Sequence, residues 1–148
     1  MQLIVFIGVQ AAGKSTFFKQ YFADTHIRIN LDMLKTRHRE QILFQACLEA
    51  KQPLVIDNTN PTPNDRTRYV LPAKAAHFQT VAYYFDTSLA DALTRNAART
   101  GKAQIPEVGI RATFKNLQQP EFAEYFDEIY HVFPIGNQQF MIEKQDAI

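Results

Sequence analysis

Apolar residues are distributed along this chain in two kinds of run. Short apolar or β-rich stretches lie at 3–7, 27–30, 54–56, 81–85 and 129–133, bounded by polar or glycine-containing segments. Near-continuous apolar stretches of that length suit strands buried on both faces of a parallel sheet. Between them, at 14–22, 31–51, 65–76, 88–100 and 107–117, the patterns are helical. Strand alternating with helix predicts an α/β fold, a three-layer αβα sandwich around a five-stranded parallel sheet. Beyond Pro134, Gly136-Asn137 followed by Phe140-Met141-Ile142 suits a turn and a short edge strand. With no repeat or low-complexity tract, the 148 residues are expected to form one domain.

Ligands of such sheets gather at the carboxyl ends of the strands, so the residues following each strand come first for chemistry. The first strand runs directly into Gly8-Val9-Gln10-Ala11-Ala12-Gly13-Lys14-Ser15. This is G-x-x-x-x-G-K-S between a strand and a helix, the setting of a phosphate-binding P-loop. Gly8 and Gly13 let backbone N–H groups turn inward as a nest for phosphate oxygens. Lys14 is expected to reach the β/γ-phosphates and Ser15 to ligate Mg²⁺, with the helix N-terminus behind the anion. ATP and Mg²⁺ are thus the expected cofactors, held by Gly8, Ala11, Ala12, Gly13, Lys14, Ser15 and Thr16.

After the second strand, Asp32 stands at the turn into the next helix. There a carboxylate serves either as a helix N-cap or as a base toward an attacking hydroxyl. Asp32, Lys35 and Arg39 are spaced i, i+3, i+7 and share one face of the expected helix, where the cations would meet an anionic acceptor. Arg37 points away on that helix, toward solvent. After the third strand, Asp57 is placed either as a carboxylate holding Mg²⁺ or as a turn residue. Asn58-Thr59-Asn60-Pro61 makes a polar turn, and Arg66 and Arg68 open the following helix as site cations or as a solvated face. Arg95 and Arg99, four apart before Gly101, read either as a phosphate-clamping lid spanning about 95–106 or as a basic helix end.

Composition narrows these readings. Sixteen Lys+Arg against fifteen Asp+Glu give a net charge of +1, which argues against coating of long duplex nucleic acid but allows a local basic groove. The lone Cys47 cannot form an internal disulfide and reads as a buried thiol. His26, His38, His77 and His131 show no metal-ligand spacing. Phe17, Phe18, Tyr21, Phe22 and Tyr83-Tyr84-Phe85 read as core packing rather than base stacking, and Tyr69 carries no stronger signal. No stretch is long enough for a membrane span, and the first apolar run lacks a basic leader. A cytoplasmic location without membrane partners is expected; the pattern does not bear on oligomeric state.

Together these blocks resemble the kinase domain of the polynucleotide kinase-phosphatases, over nearly the whole chain. The resemblance rests on Gly8–Thr16, on Asn30-x-Asp32, and on Ile56-Asp57-Asn58-Thr59-Asn60-Pro61 with Arg66 beyond it. Arg95-Asn96-x-x-Arg99 followed by Ile105-Pro106 completes it. It implies a P-loop NTPase fold and phosphoryl transfer from ATP to the 5′-hydroxyl end of DNA or RNA. By the same resemblance Asp32 is general base, Arg95 and Arg99 are lid residues on the ATP phosphates, and Arg39 is an acceptor-side phosphate contact. Lys35, Asp57 and Arg66 join the expected substrate site. Ala11 stands where many members carry glycine, with little expected effect because the outer glycines remain. Leu31 replaces a frequent arginine, and Glu124-Tyr125-Phe126 a common Glu-Gly-Phe. No phosphatase segment lies in these residues, so 3′-end healing is not expected of them. A small-molecule kinase acting on a sugar, nucleoside or antibiotic hydroxyl is the alternative; a nucleotide-gated binding module is another.

Overall fold

The structure is a computed structural model, described here for residues 1–147. Strand β1 (Gln2–Ile7) explains the first apolar run: every residue after Gln2 is buried. Leu3, Val5 and Ile7 enter one core cluster, and Ile4 and Phe6 the cluster on the opposite face. A strand with helices on both sides has no solvent face for polar side chains, so the run is continuous. The remaining strands are β2 (Ile27–Ile29), β3 (Leu54–Ile56), β4 (Gln79–Phe85), β5 (Glu128–Gly136) and β6 (Gln139–Lys144). They form one sheet in the order β2-β3-β1-β4-β5-β6. The first five are parallel as expected, and the tail adds β6 as an antiparallel edge paired to β5. β1 lies between β3 and β4, where successive connections leave to opposite sides and a crevice opens at the strand ends.

Helices α1 (Lys14–Tyr21), α5 (Leu89–Ala97) and α6 (Glu107–Asn116) contribute Phe17, Phe18, Ala92 and Ile110 to the cluster around Phe6. Phe17 meets Phe6, Phe85 and Phe140 edge-on, and Phe18 and Phe22 are buried with it as expected, whereas Tyr21, also expected in the core, is exposed. The other face is covered by α3 (Arg37–Ala50) and α4 (Pro63–Ala75), through Phe44, Cys47, Leu48, Tyr69, Val70 and Ala73.

The single helix expected over 31–51 is two. A short α2 (Leu31–Leu34) ends at Lys35, whose φ of 75° reverses the chain, and Thr36 caps α3 by accepting from the Arg39 N–H at 3.1 Å. Asp32, Lys35 and Arg39 therefore share no helix face. Helix α4 starts two residues ahead of the expected 65 because Thr62 and Asp65 form a reciprocal capping box with Pro63 in the first turn.

Arg66 is also corrected. It is neither a substrate contact nor a solvated cation but a fully buried one. Its Nε donates to Asn60 O at 3.0 Å, Nη2 to Pro61 O at 3.1 Å and to Gln118 O, and Nη1 to both Glu124 oxygens at 3.1 Å. Burial lowers its pKa while Glu124 raises it, the first effect being the larger. Removing one partner of such a pair strands a charge in the interior. Arg66→Ala should cost about 3–5 kcal/mol of unfolding free energy by urea titration. Arg68→Ala, on the exposed face of the same helix, should stay within about 0.5 kcal/mol. Similar effects for the two would contradict this placement.

Candidate active site

The P-loop joins β1 to α1 with little room to spare. A Cβ on Gly8 would stand 2.9 Å from that of Phe85, and Gly13 holds φ 93° as the N-cap of α1. Ala11 has φ 63°, a left-handed conformation that costs a non-glycine residue roughly 1–2 kcal/mol. The departure at Ala11 therefore carries backbone strain that glycine would not. Lys14 is buried, and its Nζ donates to Gly8 O at 2.9 Å and Val9 O at 2.7 Å. Its pKa is lowered to about 8, chiefly by burial; Asp57 and Asp32 oppose the shift and Arg99 adds to it. The four charges thus act within one electrostatic neighbourhood. Gln10 adds a buried Oε1 with no hydrogen-bond partner among the described residues.

Ser15 and Asp57 meet as the sequence motifs suggest. Ser15 Oγ donates to Asp57 Oδ2 at 3.3 Å, and Asp57 is 2% exposed. Arg28, which the sequence reading overlooked, donates from Nε to Asp57 Oδ2 at 2.8 Å and from Nη2 to Ser15 Oγ at 2.9 Å. The only trace of Arg28 in the sequence is one charged residue between two isoleucines of a short strand, of which only Ile29 is buried. A hydroxyl and one carboxylate are hard oxygen donors that suit Mg²⁺, which takes its other oxygens from water and phosphate. Among the described residues no cluster of three or more His, Cys, Asp or Glu offers an all-protein alternative.

The wall opposite the P-loop is assembled from hydrogen-bonded loops. Asn30 caps α2 by accepting from the Met33 N–H at 2.9 Å, and its amide donates to Asp57 O at 2.5 Å. The capping position is thereby taken, and Asp32 is an exposed residue in the first turn. The Leu31 N–H donates to Asn58 Oδ1 at 2.8 Å, and Asn58 Nδ2 donates to Glu40 Oε2 at 3.0 Å. Glu40, 3% exposed, also accepts at Oε1 from Tyr69 Oη and from Arg37 Nη1, each at 2.9 Å. Arg37 is therefore anchored by one nitrogen although its side chain remains exposed, and Tyr69 is no ordinary core aromatic. Arg37 lies three positions before Glu40, but Asn58 and Tyr69, which complete the cluster, come from other elements, so the local pattern does not mark it.

These walls enclose a cleft of about 420 Å³ whose lining includes Lys14, Ser15, Asp32, Arg37, Asp57 and Arg99. Lys35, Arg39 and Arg66 are not part of that lining; Arg39 Nη1 instead donates to Leu34 O at 3.1 Å. A smaller hollow of about 230 Å³ adjoins the P-loop at Gly13 and Thr16, bounded by Arg95, Arg99 and the β5–β6 turn. Helix α5 ends at Ala97, short of the expected 100, so Arg95 is helical and Arg99 lies in the loop beyond. Buried Asn96 closes that loop: its Nδ2 donates to Ile105 O at 2.6 Å and its Oδ1 accepts from the Ile105 N–H at 2.8 Å. The two arginines thus reach the P-loop from a helix end and a pinned loop rather than from one helix face.

Residues 3–120 match the family model described as AAA domain. The bifunctional polynucleotide phosphatase/kinase of Schizosaccharomyces pombe is 28% identical over 138 residues, covering 88% of this chain and 33% of that protein. The putative bifunctional polynucleotide phosphatase/kinase of Acanthamoeba polyphaga mimivirus is 31% identical over 135 residues, covering 86% and 32%. The chain spans about a third of the length of the curated relatives it matches. Among solved structures, a gluconokinase from Sinorhizobium meliloti 1021 superposes with a TM-score of 0.65 at 17% identity, over 93% of this chain and 85% of that one. Chaetomium thermophilum Kti12 in complex with ADP-AlF3 superposes at 0.66 and 14% identity, over 87% of each. At such identities the two structures speak for the fold. The parallel sheet, the glycine-flanked loop at its centre and the match over 3–120 agree: the chain has the P-loop NTPase fold and belongs to the AAA domain family.

Proposed function

We propose that this chain is an ATP-dependent kinase that transfers the γ-phosphoryl group to the 5′-hydroxyl end of DNA or RNA. One observation carries the reading: Asp32, its helix already capped by Asn30, lines the same cleft as Lys14 and Ser15. Its side chain accepts no hydrogen bond among the described residues, so its oxygens are available to an incoming hydroxyl. The names of the two curated relatives supply the acceptor class.

In this reading the P-loop amides and Lys14 hold the donor phosphates, and Thr16, Arg95 and Arg99 flank them. Asp32 accepts the proton as the acceptor hydroxyl attacks the γ-phosphorus, a role worth roughly 10²–10⁴-fold. Arg99 and Lys14 offset the charge carried by the transferring group. Ser15, with Asp57 behind it, would hold Mg²⁺, which neutralises phosphate charge when bound. Transfer of labelled γ-phosphate to 5′-hydroxyl DNA, 5′-hydroxyl RNA and small alcohols tests the proposal. Labelling of an oligonucleotide end is expected. Labelling of small alcohols alone would assign a small-molecule kinase, and hydrolysis without transfer a nucleotide-gated module.

Three outcomes follow from the geometry. Asp32→Asn should lower transfer by roughly 10²–10⁴-fold while ATP affinity and the thermal midpoint hold, because Asn30 keeps the cap. Near-normal turnover in that variant removes Asp32 from the chemistry. Arg99→Ala should lose on the order of 10³-fold in rate with little loss of stability, since the residue is exposed in a loop. Lys14, with its pKa near 8 in the ligand-free chain, must be charged to hold phosphate, so anion binding raises that pKa. The charged form is fully populated below the free pKa and is lost above the bound one. ATP affinity measured in EDTA should therefore hold below about pH 8 and weaken as the pH rises above it, by at most about tenfold per pH unit, with proton uptake seen by calorimetry. An affinity that stays flat as the pH rises above about 8 contradicts the buried lysine.

A further inference from the structure

Three cations line the main cleft: Lys14, Arg37 and Arg99. Lys14 belongs to the P-loop, and Arg99 also borders the adjoining hollow between the P-loop and the β5–β6 turn. Arg37 borders only the main cleft, on the wall that carries Asp32. Its Nη1 donates to Glu40 Oε1 at 2.9 Å and to Tyr69 Oη at 3.0 Å, which uses both protons of that nitrogen. Among the described residues neither Nε nor Nη2 of Arg37 makes a hydrogen bond, and the side chain is 56% exposed. A guanidinium anchored by one nitrogen presents its remaining edge in a fixed plane, the geometry that meets two oxygens of a phosphate at once. Anchoring also removes much of the rotamer entropy that a free arginine loses on binding.

We infer that Arg37, braced by Glu40 and Tyr69, is the acceptor-specificity residue of this cleft and binds the phosphate or phosphodiester on the 3′ side of the acceptor nucleoside. The inference rests on the proposed polynucleotide reading and moves the acceptor contact away from Lys35 and Arg39. Those two are exposed, lie on either side of the break between α2 and α3, and do not line the cleft. Glu40 acts here as a positioning residue for both halves of the acceptor wall. Its Oε1 fixes Arg37, while its Oε2 holds Asn58, which in turn receives the Leu31 N–H beside Asp32. One buried carboxylate therefore sets the anion contact and the proton acceptor relative to each other. Glu40 offsets the charge of Arg37, but its own charge is shared among three donors, so the outer edge of the guanidinium keeps directed, charge-assisted hydrogen bonds.

The test is equilibrium binding to the full chain of a nucleoside 3′-phosphate against the same nucleoside without phosphate. The wild-type chain should prefer the phosphorylated ligand by about tenfold or more, as expected for hydrogen bonds to a charged group. Arg37→Gln keeps a donor for Glu40 but removes the charge and the fork, and should erase the preference. Arg37→Lys keeps the charge without the fork and should retain only a fraction of it; it stands in if the glutamine variant does not fold. Arg39→Gln should leave the preference in place. A preference that survives in folded Arg37 variants, that falls with Arg39→Gln, or that is missing from the wild-type chain overturns the assignment. Turnover separates the two proposals. A wild-type chain with the preference but no transfer to any 5′-hydroxyl upholds Arg37 and fails the kinase reading. Transfer to oligonucleotides without the preference upholds the kinase reading and fails Arg37.

Discussion

The arrangement of the cleft depends on one buried cation. Arg66 gathers the carbonyls of Asn60, Pro61 and Gln118 and the Glu124 carboxylate, so that the turn after β3 is held from beneath. Backbone carbonyls in a tight polar turn repel one another and, unpaired in an interior, cost free energy comparable to a lost hydrogen bond. A guanidinium with five donors in one plane satisfies several of them together. Asn60 holds φ 45°, a conformation asparagine tolerates better than most residues, and its amide donates to Phe6 O at 2.9 Å. The Gly8 N–H donates to Thr59 O at 3.0 Å. The turn after β3 is therefore attached both to Arg66 and to the strand that launches the P-loop.

That attachment makes the two walls of the cleft one object. Asp57 and Asn58 begin the same turn and bond outward to Arg28, to Ser15 and to the α2 entry. Motion of the turn would displace Ser15, Asn30 and Leu31 together, so the distance between phosphate loop and Asp32 is set by short polar contacts rather than by side-chain packing. Such networks tolerate little loosening, since a buried polar group without its partner costs more than the bond contributed. This accounts for the polar composition of the 57–61 segment: the side chains of Asp57, Asn58 and Asn60 and the carbonyls of Asp57, Thr59, Asn60 and Pro61 all bond to groups on other elements.

Much of this was legible in the sequence, and the misreadings share a cause. The five parallel strands, the P-loop between β1 and α1 and the tail hairpin follow from hydrophobic period and glycine placement, which are local signals. The break at Lys35 was not visible, because a non-glycine residue with φ 75° has no compositional mark, although Asn30 and Thr36 are both good caps. A continuous helix over 31–51 turns Lys35 and Arg39 toward the site and Arg37 away from it, the reverse of what forms. Arg66 is illegible for a different reason. A lone arginine in an amphipathic helix is ordinarily solvated, and only the distant Glu124 and Gln118 make its burial tolerable. Glu40, Tyr69 and Arg28 are illegible on the same ground, because each takes a partner 29 positions away, Glu40 from Tyr69 and Arg28 from Asp57.

The charges lining the cleft are balanced as well as placed. Lys14, Arg37 and Arg99 face Asp32, Asp57 and Asp65, and two of these six are held in ion pairs by residues outside the lining, Arg37 by Glu40 and Asp57 by Arg28. A cleft of nearly cancelling charge inside a chain of net charge +1 exerts little long-range attraction on an anion. Selectivity for a phosphorylated ligand must then come from short, oriented contacts made after the ligand has entered, at the P-loop amides, at Lys14 and at the anchored guanidinium of Arg37. Contacts of that kind act over hydrogen-bond distances, where a partly desolvated cleft strengthens them and salt screens them least. The hydrogen-bonded frame beneath the cleft is what keeps such contacts in register, which is why the buried polar groups under the site matter as much as the charges that line it.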